Sequence, residues 1–345
     1  MQAAADRATG PAVRRPVFVA IGGDSGTGKS TLVAGFCRLF GEHRITTLCL
    51  DDYHSLDRRE RTLIGITALD PRANNFFLME SQLLELSHGR SIMKPVYDHH
   101  DGTFGKPEQV RPREVVIVQG LHPFLVPGVR ALFDLKVWLD PEDSLKHRWK
   151  VQRDVAKRGY TLEAVEREIE ARRPDVAAYI APQRRFADLV VRFHRPDAAA
   201  DDGHLSARIV TRPTLPRLDL RGILDEPATG LRLSMDEDDG QSAEILETDG
   251  HIDPATVRRL EHRIWDHIDA RHQHLRHLGP RQFGDFADGA MLRHHSDPLA
   301  LTQLLLVHRI LSAKKTMLVR VPESVHGSLD HGHELDEIGP DHEHV

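Results

Sequence analysis

Cysteine is almost absent from this chain: 345 residues contain two, Cys37 and Cys49. Two thiols cannot build the disulfide framework of a small secreted domain, and they read as belonging to a reducing cytoplasm. No apolar run is long enough to cross a bilayer, so no membrane association is expected. Residues 1–15 lack the apolar centre of a secretory signal and read as a disordered lead-in. Charge of one sign is also in short supply. A net charge of −6 gives no electrostatic case for nucleic acid or an acidic membrane surface. What is present, 40% hydrophobic and 28% charged residues, is the composition of a soluble globular protein, with length for one large α/β domain and a smaller addition. Histidine is the residue in excess, at 23. His326, His331, His333, His342 and His344 fall in a tail rich in Asp and Glu and poor in apolar side chains. Such a tail reads as solvated and disordered, with nothing to hold a rigid metal site.

The most informative segment is Gly23-Asp24-Ser25-Gly26-Thr27-Gly28-Lys29-Ser30, a G-x-x-x-x-G-K-S phosphate-binding loop. Before it, residues 17–21 are apolar and rich in β-branched side chains. After it, residues 31–40 carry helical spacing. Strand, glycine loop and helix form the context this motif needs. The glycines let successive N–H groups converge on a phosphate at the positive end of a helix. Gly23 through Thr31 are therefore the expected nucleotide cradle, with Lys29 reaching the β- and γ-phosphates and Ser30 a ligand of Mg²⁺ that enters with ATP.

Residues 1–195 alternate strand-like stretches (17–22, 45–50, 115–119, 134–139, 188–193) with amphipathic ones (29–40, 75–88, 141–158, 161–172). That alternation predicts an α/β fold with a parallel sheet covered by helices on both faces. Ligands of such sheets gather at the carboxyl ends of the strands. Residues 196–203 form a polar joint. Beyond it, strand-like segments at 205–212, 230–236 and 243–248 are joined by Asp/Gly turns, with helices expected at 254–270 and 299–313. The expected organisation is a P-loop α/β core over 16–195, an extension of mixed strands and helices over 204–322, and a disordered tail over 323–345. Pattern leaves open whether the extension is a separate domain or more of the same sheet.

The second strand runs into Asp51-Asp52-Tyr53-His54-Ser55-Leu56-Asp57-Arg58. Alone, this would read as a capped, charged surface loop. In a parallel sheet it lies beside the phosphate loop, where a carboxylate faces the γ-phosphate. Asp51 could then accept the proton of a sugar hydroxyl as that hydroxyl attacks. His54, Arg58 and Arg61 suit an anionic acceptor, because guanidinium grips phosphate with paired hydrogen bonds. Farther on, Lys150, Arg153 and Asp154 share one helix face at i, i+3 and i+4. Such a face is an ordinary ion-paired surface or a basic lid that neutralises the migrating phosphoryl group.

At this point the chain resembles phosphoribulokinase, especially of the cyanobacterial and plant type. The stretches that carry the resemblance are 50–58, the string Thr67-Ala68-Leu69-Asp70-Pro71-Arg72-Ala73-Asn74-Asn75-Phe76, Lys94-Pro95-Val96-Tyr97-Asp98-His99, Gly120-Leu121-His122-Pro123 and Gln152-Arg153-Asp154. It runs from about residue 17 to 189, fades over 200–275 and returns weakly near 282–291 and 301–311. It implies a P-loop kinase fold and ATP-dependent phosphorylation of the carbon-1 hydroxyl of ribulose 5-phosphate, the Calvin-cycle step to ribulose 1,5-bisphosphate. It implies Asp51 as catalytic base, and His54, Arg58, Tyr97 and His99 around the sugar phosphate. Lys150, Arg153 and Arg158 would serve transition-state charge and substrate phosphate, and Asp154 would be a second acidic residue, with Mg²⁺ as its expected partner. It also implies a homodimer or larger assembly. A uridine or cytidine kinase shares the phosphate loop, the Asp after the second strand and the Pro-x-Tyr-Asp stretch, and is the nearest alternative.

Two positions depart from the family pattern. The plant enzyme is switched by a disulfide between a phosphate-loop cysteine and one just after the second strand. Cys49 matches the second, but Thr27 stands where the first would be, so neither a plant-type thiol switch nor its redox partners are expected. The family also carries a glutamate before Gly-Leu-His, where this chain has Gln119. Glutamine keeps the size but loses the charge that helps hold Mg²⁺ or its waters. The implied outcomes are compensation by Asp52 or Asp154, a different substrate, or nucleotide binding with weak turnover.

Overall fold

The computed structural model describes residues 13–196, 203–215, 218–223, 230–278, 283–287, 292–313 and 318–319. The expected tail at 323–345 and most of the expected lead-in lie outside the described residues. Of the lead-in, residues 13–15 are placed. Val13 and Arg14 pair antiparallel with Val319 and Leu318, and Arg15 forms a bidentate pair with Asp134 at 2.7 and 2.8 Å.

Eight strands form one sheet: β1 (Val17–Gly22), β2 (Ile45–Cys49), β3 (Val115–Gly120), β4 (Leu135–Leu139), β5 (Leu189–His194), β6 (Ser206–Thr211), β7 (Leu231–Asp238) and β8 (Gln241–Thr248). Their spatial order is β7-β8-β6-β5-β4-β1-β3-β2. The first five are parallel to one another. The last three add antiparallel beyond β5. The later strands thus continue the same sheet.

Side-chain alternation along β1 explains the layers. Val17, Val19 and Ile21 enter one core with α1 (Lys29–Phe40), α7 (Pro254–Asp266) and α8 (Asp297–Ser312). Phe18 and Ala20 enter the other, with α3 (Phe76–Ser87) and α4 (Pro127–Leu132). A strand covered on both faces must be apolar throughout, and Val17–Ile21 and Val115–Val118 are. Helix α8 is buried from Pro298 to Leu311. Each of its fully buried leucines contributes roughly 1.5–3 kcal/mol. Gly35 lets α1 approach it, because a Cβ there would lie 2.1 Å from Gln303 Nε2. None of the described helices is long and apolar enough to cross a membrane.

Helix α2 (Arg58–Ile64) was not anticipated, although its start is written locally. The Asp57 side chain accepts from Glu60 N, and Glu60 Oε2 accepts from Asp57 N, a capping box. Gly65 ends the helix in left-handed backbone at φ 71°. The basic residues after Asp51 therefore sit on a short helix. The remaining helices that frame the site are α5 (Asp143–Arg158), closed by Gly159 at φ 70°, and α6 (Leu162–Asp175), capped by Thr161.

Candidate active site

The phosphate loop joins β1 to α1 with no side-chain cap at Gly28, which leaves the first N–H groups of α1 facing the loop. Gly26 and Gly28 have φ of 83° and 89°. At Gly26 a Cβ would also lie 2.9 Å from Lys150 Cβ, so a larger residue there would push α5 away. Lys29 Nζ donates to the carbonyls of Gly23 and Asp24, each at 2.7 Å. Burial lowers its pKa to about 8, against the opposing pull of Asp51 and Asp24. A half-buried ammonium whose hydrogen bonds go to neutral carbonyls is stabilised further when a polyphosphate arrives. Thr27 is 2% exposed and its hydroxyl donates to Asp24 O at 2.9 Å. Ser30 is exposed and Thr31 half-buried, both in the first turn of α1.

Beside this loop, β2 ends and residues 50–53 make a single tight turn. Its two adjacent carboxylates have opposite fates. Asp52 is engaged by an ion pair to the buried Lys94 and accepts from Tyr97 N at 2.9 Å. It fastens the 94–97 segment to the turn. Asp51 has no Lys or Arg within ion-pair distance among the described residues; His99 Nε2 lies 3.6 Å away. Burial pushes its carboxyl up, but His54, His99, Lys29 and Arg172 outweigh that and hold it below the usual carboxylate range. It is therefore ionised and still able to accept a proton. Burial lowers the pKa of both His54 and His99, against the opposing pull of Asp51.

His54 is fixed by Asn74, whose Oδ1 lies 2.9 Å from His54 Nδ1, and by an edge contact with Tyr97. Asn74 is held in turn, donating to Ala68 O and Asp70 O at 3.2 and 2.9 Å. The unusual 67–76 string is thus a self-braced loop whose product is the orientation of His54. Arg58 donates to His99 O at 2.6 Å and His100 O at 3.2 Å, while remaining on the site's rim. Arg61, expected to grip an anion, already has partners within the chain. It is 7% exposed, and its guanidinium donates to Leu56 O and Tyr97 Oη at 2.6 and 2.7 Å. It orients Tyr97 from behind.

The basic face of α5 closes over the phosphate loop. Arg153 donates to Ser25 Oγ at 2.9 Å, and Lys146 lies 3.8 Å from Asp24. Asp154 is the hub of this face: Lys150 at 2.7 Å, Arg153 at 2.8 Å and Arg158 at 3.4 Å converge on it. Burial raises its pKa, but Arg153 and Lys150 lower it more, to about 2. Asp154, expected to ligate Mg²⁺, is here engaged by protein cations: its side chain is fully buried and three of them converge on it.

Three participants were missed. Arg172 of α6 adds positive potential at Asp51 and binds Glu168 at 2.9 Å, while Glu168 also accepts from Lys150 at 3.1 Å. His122 lines the space under Asp51 and is kept neutral by burial, which lowers its pKa to about 4. Gln183, 1% exposed, holds the 121–124 turn by donating to Leu121 O and accepting from Phe124 N. No spacing rule marks Arg172 or Gln183, since both arrive from α6 and the turn after it. Gln119, half-buried, is the penultimate residue of β3 and pairs in register with Cys49 and Ile21, between the turn that carries Asp51 and the phosphate loop.

The profile of the Phosphoribulokinase / Uridine kinase family matches residues 18–198. The chain belongs to this family. It is 37% identical to a phosphoribulokinase of Synechocystis sp. over 338 residues, covering 90% of this chain and 98% of that one. It is 33% identical to a chloroplastic phosphoribulokinase of Triticum aestivum, covering 83% and 78%. A uridine kinase of Clostridium perfringens is 31% identical but covers 52% of this chain. The phosphoribulokinase structure from Rhodobacter spheroides superposes with a TM-score of 0.51 at 19% identity, covering 72% of this chain and 99% of that one, a likeness of fold. Within the family, similarity to the two phosphoribulokinases extends through the antiparallel extension, whereas similarity to the uridine kinase is confined to about half the chain.

Proposed function

We infer that this protein transfers the γ-phosphoryl group of ATP to the carbon-1 hydroxyl of ribulose 5-phosphate, giving ribulose 1,5-bisphosphate and ADP. The observation that carries the reading is Asp51, ionised, free of strong cation pairing and set beside the phosphate-loop lysine. In this reading Asp51 accepts the hydroxyl proton as the oxygen bonds to the γ-phosphorus and the bond to the β-phosphate oxygen breaks. Lys29 and Arg153 balance charge on the migrating group. Arg58 and Arg158 face the 5-phosphate, and His54, Tyr97 and His99 line the sugar. Lys150 and Asp154 hold Arg153 and Arg158 in place. Similarity over nearly the full length of a phosphoribulokinase supports the choice of acceptor.

Ser30 fits the Mg²⁺ that accompanies ATP: it offers one exposed hydroxyl in the first turn of α1, and Mg²⁺ takes few protein ligands and keeps several waters. When bound, the ion neutralises phosphate charge. Gln119 supports a second reading of weakened turnover, because a missing carboxylate near the metal typically costs about 10–100-fold. A coupled ADP-release assay with ribulose 5-phosphate, uridine or no acceptor tests both. Turnover with ribulose 5-phosphate alone is expected. Turnover with uridine would overturn the acceptor, and ATP binding without turnover would favour the second reading.

A further inference from the structure

Cys49, Asp51 and His99 come from three different places: the end of β2, the turn that follows it, and the turn after the Tyr97–Asp98 strand. One ligand atom from each, a sulfur, an oxygen and a nitrogen, lie within 4.8 Å of one another, and all three residues are half-buried. We propose that these residues form a site for a thiophilic divalent cation, of which Zn²⁺ is the type, distinct in ligand chemistry from the Mg²⁺ that enters with ATP.

The ligand set decides the class of cation. Mg²⁺ takes oxygen and dehydrates reluctantly, whereas a sulfur, an imidazole and a carboxylate suit Zn²⁺ or Co²⁺. Zn²⁺ bonds of about 2.0–2.3 Å place tetrahedral ligands about 3.3–3.7 Å apart. Asp51 and His99 already stand at 3.6 Å, so closure asks for a shift of roughly 1 Å at most by the Cys49 side chain. Three protein ligands leave the fourth position to water or a substrate oxygen. On binding, the Cys49 S–H bond gives way to an S–metal bond and the proton leaves to solvent. No change of oxidation state is involved. His99 offers a neutral imidazole, as a metal ligand must be.

The consequence follows from Asp51. A carboxylate bound to Zn²⁺ cannot accept a hydroxyl proton, so occupancy inhibits phosphoryl transfer. This consequence rests on the reading of Asp51 as the base, whereas the site itself does not. The cysteine that part of the family uses for a disulfide would here report thiophilic metal instead, without a second thiol.

The full-length protein is titrated with Co²⁺ without thiol reductants, and the thiolate-to-cobalt charge-transfer band is followed. That band separates a cysteine site from the histidine-rich tail, which gives none. The expected result is a band saturating at one equivalent, lost in Cys49→Ser and in Cys49→Ala and retained in Cys37→Ser. In parallel, Zn²⁺ in the presence of excess Mg²⁺ inhibits the wild type, with at least about a 10-fold loss of sensitivity in Cys49→Ser. No band, or a band unchanged in both Cys49 variants, overturns the site. A band lost in the Cys49 variants with no Zn²⁺ inhibition of the wild type supports the site and overturns Asp51 as the base.

Discussion

Two arginine–aspartate networks lie along the same sheet, and they are used differently. In the antiparallel part, Arg212 is fully buried. It donates to the carbonyls of Arg184, Arg185 and Ala187 and to the carboxylates of Asp238 and Asp239. Arg184 binds the same two carboxylates. The network ties the β7–β8 hairpin to the turn before β5 and runs on through Asp140 to Arg192, all within the antiparallel part and its junction with β4 and β5. In the parallel part, the Asp154 network reaches the candidate site. Its Arg153 reaches across to Ser25 of the phosphate loop, and its Lys150 passes through Glu168 to Arg172, whose charge is felt at Asp51. A buried ion network whose contacts stay within the framework is structural. One whose members extend to the phosphate loop can balance a ligand that brings more negative charge.

Substitutions should separate the two networks. Lys29→Met removes a cation aimed at the phosphates and should lower kcat by roughly 10³–10⁵-fold, as loss of a transition-state cation does, with the urea midpoint little changed. Arg212→Ala should do the reverse. It leaves Asp238 short of a partner and costs about 3 kcal/mol, the low end for a broken buried network because Asp239 is 43% exposed. Chemical denaturation reads the loss, and kcat per folded molecule should stay within a factor of about two. Should both variants lose activity and stability together, the distinction fails.

Gln119→Glu sharpens the comparison at the open end of the site. Restoring a carboxylate between Cys49 and Ile21 should raise kcat by about 10–100-fold at limiting Mg²⁺. An unchanged rate would show that the metal is held without this position. The smallest effect is on pH. The folded pKa of Asp154 is depressed to about 2, so the stability it contributes is present above its ordinary value near 4 and lost as the pH falls toward 2. The contribution is about 2 kcal/mol. Urea midpoints from pH 5 to pH 2.5 should therefore fall less steeply in Asp154→Asn than in the wild type.

Much of this was legible beforehand because it is local. The phosphate loop, β1 and α1 lie within 24 consecutive residues, and the glycine spacing alone dictates their conformation. Asp51 was legible from its place after β2. Its separation from Asp52 was not, because Lys94 and Tyr97 N, which engage Asp52, arrive more than forty residues later. The same holds for Arg61, which reads as a grip for an anionic acceptor until Tyr97 is seen to accept from it. Asp154 was placed on the right helix face, but its role depends on three cations converging on one buried carboxylate. Sequence shows which charges are near the site; only packing shows which of them already have partners.

The central claim is that the carboxylate left without a strong partner is the one that does chemistry. Asp51→Asn tests it most directly, with kcat for ribulose 5-phosphate and ATP affinity measured on the same preparation. The expected result is a fall in kcat of about 10²–10⁴-fold with ATP affinity unchanged. A kcat within about three-fold of wild type would contradict the account.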